Sequence, residues 1–126
     1  MIAPIIPGLN SDEALKIIQK VSETGADWLG YTLIRLNDAV EPIFVDWLET
    51  SFPDRKNKVL SLIKQMRGGK LGEKRYFERY TGEGSIAEVI HQTIEIGRNK
   101  YFKERKKKEL STAHFTGSKA QQLKLF

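Results

Sequence analysis

Cysteine is absent from the 126-residue sequence. With it go disulfides, thiolate nucleophiles, cysteine-bound zinc and cysteine-held iron–sulfur clusters as properties of this polypeptide. No apolar run approaches the roughly 20 residues that a bilayer-spanning helix needs, and the first residues lack the basic-then-apolar layout of a secretory signal. A cytoplasmic protein with no membrane partner is expected. Histidine is scarce: His91 and His114 are the only two, and neither has a cysteine or a spaced carboxylate pair that would suggest zinc. A G-x-S-x-G elbow, a P-loop and a dinucleotide fingerprint are missing as well, Gly82-Glu83-Gly84 reading as a loop before a helix cap. Asp46, Glu49 and Asp54 fall on or beside predicted helices, where solvated faces account for them, so no self-contained hydrolase emerges.

What is present is a chain of one-domain length with 40% hydrophobic residues and a net charge of +5. The stretch from Arg98 to Glu109 holds seven Lys or Arg against Glu104 and Glu109, so it carries the whole excess. Such a block attracts polyanions, nucleic acid among them. It also complements the C-terminal dipole of a helix and solvates its surface, which is the plainer reading.

Ile2 to Ile6 is an apolar, β-branched run closed by Pro7-Gly8. Asn10 or Ser11 can cap a helix through Val21 with Leu15, Ile18 and Val21 inward. Gly25 stops that helix, and Trp28 to Leu36 follows as a second strand, too continuously apolar for a sheet with one wet face. The three form a βαβ unit, which places the strands parallel, in a sheet expected to be covered on both faces. After Asp38, Val40, Ile43, Phe44, Trp47 and Leu48 share helical spacing, with Pro42 tolerated in the first turn. Pro53 opens another helix, with Val59, Ile63 and Met66 on one face, and Gly68-Gly69 ends it. A loop over 70–84 leads to a capping box at Ser85 and Glu88. The helix that follows carries Ile86, Val89, Ile90, Thr93, Ile94 and Gly97 on one side and runs to about Lys107. From Ser111 the composition is polar, small and aperiodic, as in a disordered tail. The expected organisation is a lobe over 1–107 and a basic and polar flexible tail over 108–126. Two parallel strands and about four helices make an α/β unit resembling the closing part of a larger sheet or barrel, with the chain beginning in mid-domain.

Three segments carry a family resemblance: residues 3–10 (APIIPGLN), residues 30–36 (GYTLIRL), and residues 52–71, from FPDR through VLSLI to RGGKL. Their order and spacing are similar to those of the C-terminal half of radical S-adenosylmethionine (SAM) proteins of the spore-photoproduct-lyase and DNA-repair-photolyase type, over roughly residues 1–105. The resemblance implies a partial (β/α) barrel, a [4Fe–4S] cluster on a Cys-x3-Cys-x2-Cys loop, and reductive cleavage of SAM to a 5′-deoxyadenosyl radical. That loop belongs to the family's N-terminal half, so the implied partner is a cluster-binding half, in the same or a separate chain. Pro4 to Ser11 resembles a degenerate form of the superfamily's GxIxGxxE stretch, which supports the adenosine part of SAM. Ile6 and Gly8 match it; Pro4 and Ser11 depart. The resemblance therefore makes Ile6 and Gly8 candidates for SAM contact, with a strand-to-helix turn needing a glycine as the alternative. Arg35, near the end of the second strand, is positioned to hold a carboxylate or phosphate, or else to form a rim ion pair with Asp38 or Glu41.

The segment from Arg67 to Tyr80 carries five basic residues, Arg67, Lys70, Lys74, Arg75 and Arg79, interleaved with Tyr76, Phe77 and Tyr80. Glycines keep the backbone low, cations neutralise phosphates and aromatics stack on bases, so Arg67, Lys70, Lys74, Arg75, Tyr76 and Arg79 are candidate nucleic-acid contacts. The alternative is a loop folded over the barrel end with its aromatics buried. At the chain end, Gln122, Leu123, Leu125 and Phe126 read QLxLF, similar to the short motif by which bacterial repair and replication proteins dock on the β sliding clamp; the alternative is a terminus packed on its own domain. Three functions stand open: a lobe of a radical SAM protein acting on nucleic acid and inactive without cluster cysteines, a non-enzymatic clamp- or nucleic-acid-associated binder, and a truncated remnant. If the tail is a clamp motif, deleting residues 122–126 abolishes binding to purified sliding clamp in surface plasmon resonance, and undiminished binding rules the motif out.

Overall fold

The computed structural model describes residues 1–72, 80–104, 111 and 113–114. Strand β1 (Ile2–Ile5) leads through a loop and a 3-10 turn (Ser11–Glu13) into helix α1 (Ala14–Glu23), and strand β2 (Tyr31–Leu33) follows. Helices α2 (Val40–Ser51), α3 (Pro53–Gln65) and α4 (Gly84–Phe102) complete the order. The strands pair in parallel, Ile2 opposite Tyr31 and Ile5 opposite Leu33, with a register shift between. The chain is thus a mixed α/β unit with a two-stranded parallel sheet and four helices among the described residues.

The crossover helix packs against α4, and residues of both join Ile2, Ile5 and Leu33 of the sheet in a first core cluster that includes Ile18, Met66, Ile90 and Ile94. Gly97 makes the approach of α4 to α1 possible. A Cβ there would stand 2.7 Å from Ile18 Cδ1 and 3.1 Å from Leu15 Cδ2, so a residue that ordinarily weakens a helix interior is required by its neighbour. A second cluster, Ile34, Leu36, Leu48, Val59, Ile63 and Leu71, forms where α2 and α3 pack on the segment following β2.

Several expectations are corrected. The strands are less buried than expected: Ile2, Ile5 and Leu33 are buried, but Ala3 and Pro4 are exposed and Tyr31 and Thr32 are half-buried. The second strand is shorter than Trp28 to Leu36, spanning Tyr31–Leu33; Leu33 N–H donates to Tyr80 O (3.0 Å) and Leu36 N–H to Leu71 O (3.1 Å). In α1 the buried residues are Ala14, Ile18 and Ser22, while Leu15 is 40% exposed. Asn10 and Ser11 do not cap α1, whose N-cap is Glu13; they close the preceding loop instead. Likewise no side-chain cap opens α4, and its buried side is Ala87, Ile90, Ile94, Gly97 and Phe102, leaving Val89 exposed.

Helix α2 departs furthest. Its apolar band is wider than the groove it meets: Leu48 is buried, with Phe44 and Val45 packed beside it, but Val40, Ile43 and Trp47 face outward, Ile43 being 69% exposed. Trp47 stacks between Phe44 (ring centres 5.5 Å apart) and Phe52 (5.3 Å) at the elbow into α3. Helix α3 follows its sequence pattern, with Pro53 in its first turn, Val59 and Ile63 buried, and Gly68 and Gly69 at positive φ beyond its end. The end of the helix expected to reach Lys107 and most of the tail lie outside the described residues.

The two sides of α2 and α3 separate cleanly in a stability measurement. Ile63→Ala is expected to lower the unfolding free energy by about 2–4 kcal/mol in urea titration, because it opens a cavity in the second cluster. Ile43→Ser is expected to change it by less than about 0.5 kcal/mol.

Candidate functional site

The strand ends and the loop after β1 form the place where ligands meet parallel α/β sheets. The loop is built by its own side chains: Ile6 N–H donates to Asn10 Oδ1 (2.7 Å), Asn10 Nδ2 donates to Pro4 O (3.3 Å), and Gly8 N–H donates to Ser11 Oγ (3.3 Å). Leu9 and Asn10 N–H both donate to Ile6 O, completing a tight turn through Gly8 at φ +75°. A Cβ at Gly8 would stand 3.0 Å from Leu62 Cδ1 and 3.7 Å from Val59 Cγ2. The room left by the missing side chain is therefore occupied by α3, and the glycine serves a turn and a helix contact. Ile6 is half-buried and packs on the second core cluster. Arg35 is half-buried, its guanidinium carbon 5.9 Å from the Tyr80 ring centre, and no ion pair joins it to Asp38 or Glu41.

Arg67, expected among nucleic-acid contacts, is a correction. It is 2% exposed, with Nε donating to Ile34 O (3.2 Å) and Nη2 to Ile34 O (2.9 Å) and Leu33 O (3.3 Å). Three donor contacts from one buried guanidinium satisfy backbone carbonyls where β2 ends, so this cation is not available to a phosphate. Lys70 is exposed on the turn that follows. Lys74, Arg75, Tyr76 and Arg79 lie outside the described residues, as do Gln122, Leu123, Leu125 and Phe126.

The basic block also contains a residue that sequence reading misassigned to solvent or polyanions. Arg98 Nε and Nη2 donate to Leu29 O (3.0 and 2.7 Å), Nη1 meets Glu95 Oε1 (2.5 Å), and the guanidinium lies 4.4 Å from the Trp28 ring centre. It ties α4 to the approach of β2. Two turns earlier on α4, His91 Nδ1 meets the Tyr31 hydroxyl. Both pairings span more than 50 residues, so no local pattern announces them. On α1, Glu23 is held below the usual carboxylate range by hydrogen bonds from Lys20 and Gln19, a solvated helix-end contact.

The described residues contain no group of three His, Asp or Glu side chains placed to hold a metal ion, and a [4Fe–4S] cluster does not fit a chain without cysteine. What the loop does border is a cleft. One cavity of about 360 Å³ is lined by Gly8, Ser11, Asp12, Arg55 and Lys58. A second, of about 280 Å³, shares Gly8, Ser11 and Lys58 and is otherwise apolar, with Leu62, Ile86 and Val89 among its walls. Comparison of the chain with protein-family models, with curated proteins and with solved structures finds no match.

The placement of Arg67 has a measurable consequence. Arg67→Gln is expected to lower stability by about 2–4 kcal/mol in urea titration, since it removes charge-assisted bonds and strands buried carbonyls. A change below about 0.5 kcal/mol would show that the guanidinium does not hold the end of β2.

Proposed function

We propose that the chain is the C-terminal lobe of a radical SAM-type barrel, whose cluster and cofactor chemistry reside in a cysteine-bearing half that it completes. The observation that carries this reading is the form of the sheet. A parallel β1–α1–β2 unit has Ile2, Ile5 and Leu33 packed with α1 and α4, while Ala3 and Pro4 on β1 are exposed and Thr32 on β2 is half-buried. Parallel sheets are ordinarily multi-stranded and covered on both faces, and the inner face of a barrel is what an outward helix layer leaves for neighbouring strands and ligand. The resemblance of residues 3–10, 30–36 and 52–71 supplies the class of chemistry.

Within that reading the lobe supplies scaffold rather than cofactor ligands. The chain has no cysteine for a cluster, Gly8 is committed to α3, and Arg67 to β2. Arg35, beside Tyr80 past the end of β2, is its remaining candidate for a carboxylate or phosphate. Nucleic acid as the substrate class and the sliding clamp as a tail partner belong to the same proposal, and neither is needed for the lobe itself.

The test is to purify the native product through an epitope inserted before Gln122, anaerobically, and to record intact mass, iron content and 5′-deoxyadenosine release from SAM under reduction. The expected result is a species larger than 14.4 kDa, or a stoichiometric complex with a cysteine-bearing chain, that holds iron and cleaves SAM. A folded 14.4 kDa species without iron or partner would overturn the reading.

A further inference from the structure

The cleft between the loop after β1 and helices α3 and α4 is given no role by the barrel-lobe reading, although Gly8, Ser11 and Arg55 fall in the segments that carry the resemblance. Its two compartments differ in chemistry. In the polar one, Arg55 and Lys58 stand three residues apart on α3, both exposed, and neither forms an ion pair with another described residue. Like charges at this spacing repel across a helix turn, so an anion seated between them removes an unfavourable interaction as well as adding a favourable one. Ser11 contributes a hydroxyl whose oxygen already accepts from Gly8 N–H, leaving its proton to donate into the cleft. Asp12 is the one carboxylate on the wall, and the two cations outweigh it.

The apolar compartment opens directly from the polar one, because Gly8, Ser11 and Lys58 line both. Leu62 and Ile86 are half-buried there, and Val89 is 60% exposed, a β-branched apolar residue that the core does not employ. The left-handed turn at Gly8, which lines both compartments, brings the loop against α3, where a Cβ would stand 3.0 Å from Leu62 Cδ1. A ligand that matches both halves has a compact apolar or aromatic body and a multiply charged head. Two cations and a hydroxyl suit a tetrahedral dianion, which offers several acceptor oxygens, better than a planar carboxylate.

We propose that this cleft binds an organic phosphate, its phosphoryl group held by Arg55, Lys58 and Ser11 and its apolar body seated on Leu62, Ile86 and Val89. The probe is 1-naphthyl phosphate, titrated into the full chain while the Gly8 and Ser11 amide resonances are followed by proton–nitrogen NMR. Saturable shifts at both amides are expected, with inorganic phosphate binding about tenfold more weakly because it forgoes the apolar contact. Arg55→Ala and Lys58→Ala are each expected to weaken the naphthyl ester about 5–10-fold through loss of a charge-assisted bond. Val89→Ser weakens the ester but not inorganic phosphate, and Asp12→Asn tightens both. All four positions are exposed, and unchanged urea midpoints establish that folding is intact. The proposal is overturned by amides that do not saturate at millimolar ester, by equal affinity for ester and inorganic phosphate, or by shifts that persist in the Arg55→Ala/Lys58→Ala double variant. None of these readouts involves SAM or a cluster, so failure here leaves the barrel-lobe reading standing, and the reverse holds.

Discussion

One buried guanidinium joins the two halves of this fold. Arg67 lies at the seam between the clusters: its neighbour Met66 and its acceptor Leu33 belong to the first, while Ile34, its other acceptor, and Ile63 belong to the second. Burying a cation is costly unless its hydrogen-bonding capacity is met, and here carbonyls at the end of a strand meet it. The arrangement answers two needs at once. Among the described residues no third strand receives the carbonyls at the end of β2, and glycines at positive φ turn the chain beyond α3. Arg67 acts together with apolar contact and the Leu36 N–H bond to Leu71 O in fixing the α2–α3 hairpin to the βαβ unit.

The sequence was legible where one local rule decided the outcome. Pro53 and the Gly68-Gly69 pair bracket α3, and the Val59, Ile63, Met66 spacing identifies its inner face, because a single narrow apolar stripe admits one orientation. The parallel strand pair also followed from two β-branched runs separated by a helical period. Reading failed where apolar bands were too wide. In α2, the row Val40, Ile43, Trp47 and the row Phe44, Leu48 satisfy the same periodicity, and only the position of α3 selects the second. In α4 the same ambiguity placed Val89 inward, although α1 meets Ile90, Ile94 and Gly97.

Charged residues were the least legible. Arg67 and Arg98 stand among lysines and glycines that read as a surface, yet each spends its planar fork on main-chain oxygens far away in sequence. Arginine serves this purpose where lysine would not, since one group reaches two or three acceptors in a fixed plane. Arg55 was legible only as part of the FPDR segment and Lys58 not at all, because a cation on a helix facing water stands out only once the loop carrying Gly8 and Ser11 is seen to close against it. The candidate site is thus a product of tertiary placement, and its loop glycine was noticed for a reason different from the one the packing supplies.

The contact at Gly97 also bears on how this chain can vary. Ile18 and Leu15 fill the space that a side chain at position 97 would claim, so the three positions share one fixed volume. Enlarging position 97 displaces the ends of both side chains: Leu15, 40% exposed, has solvent to move into, whereas Ile18 is fully buried. The α1–α4 interface therefore favours paired exchange of small for large between positions 97 and 18 over enlargement of position 97 alone.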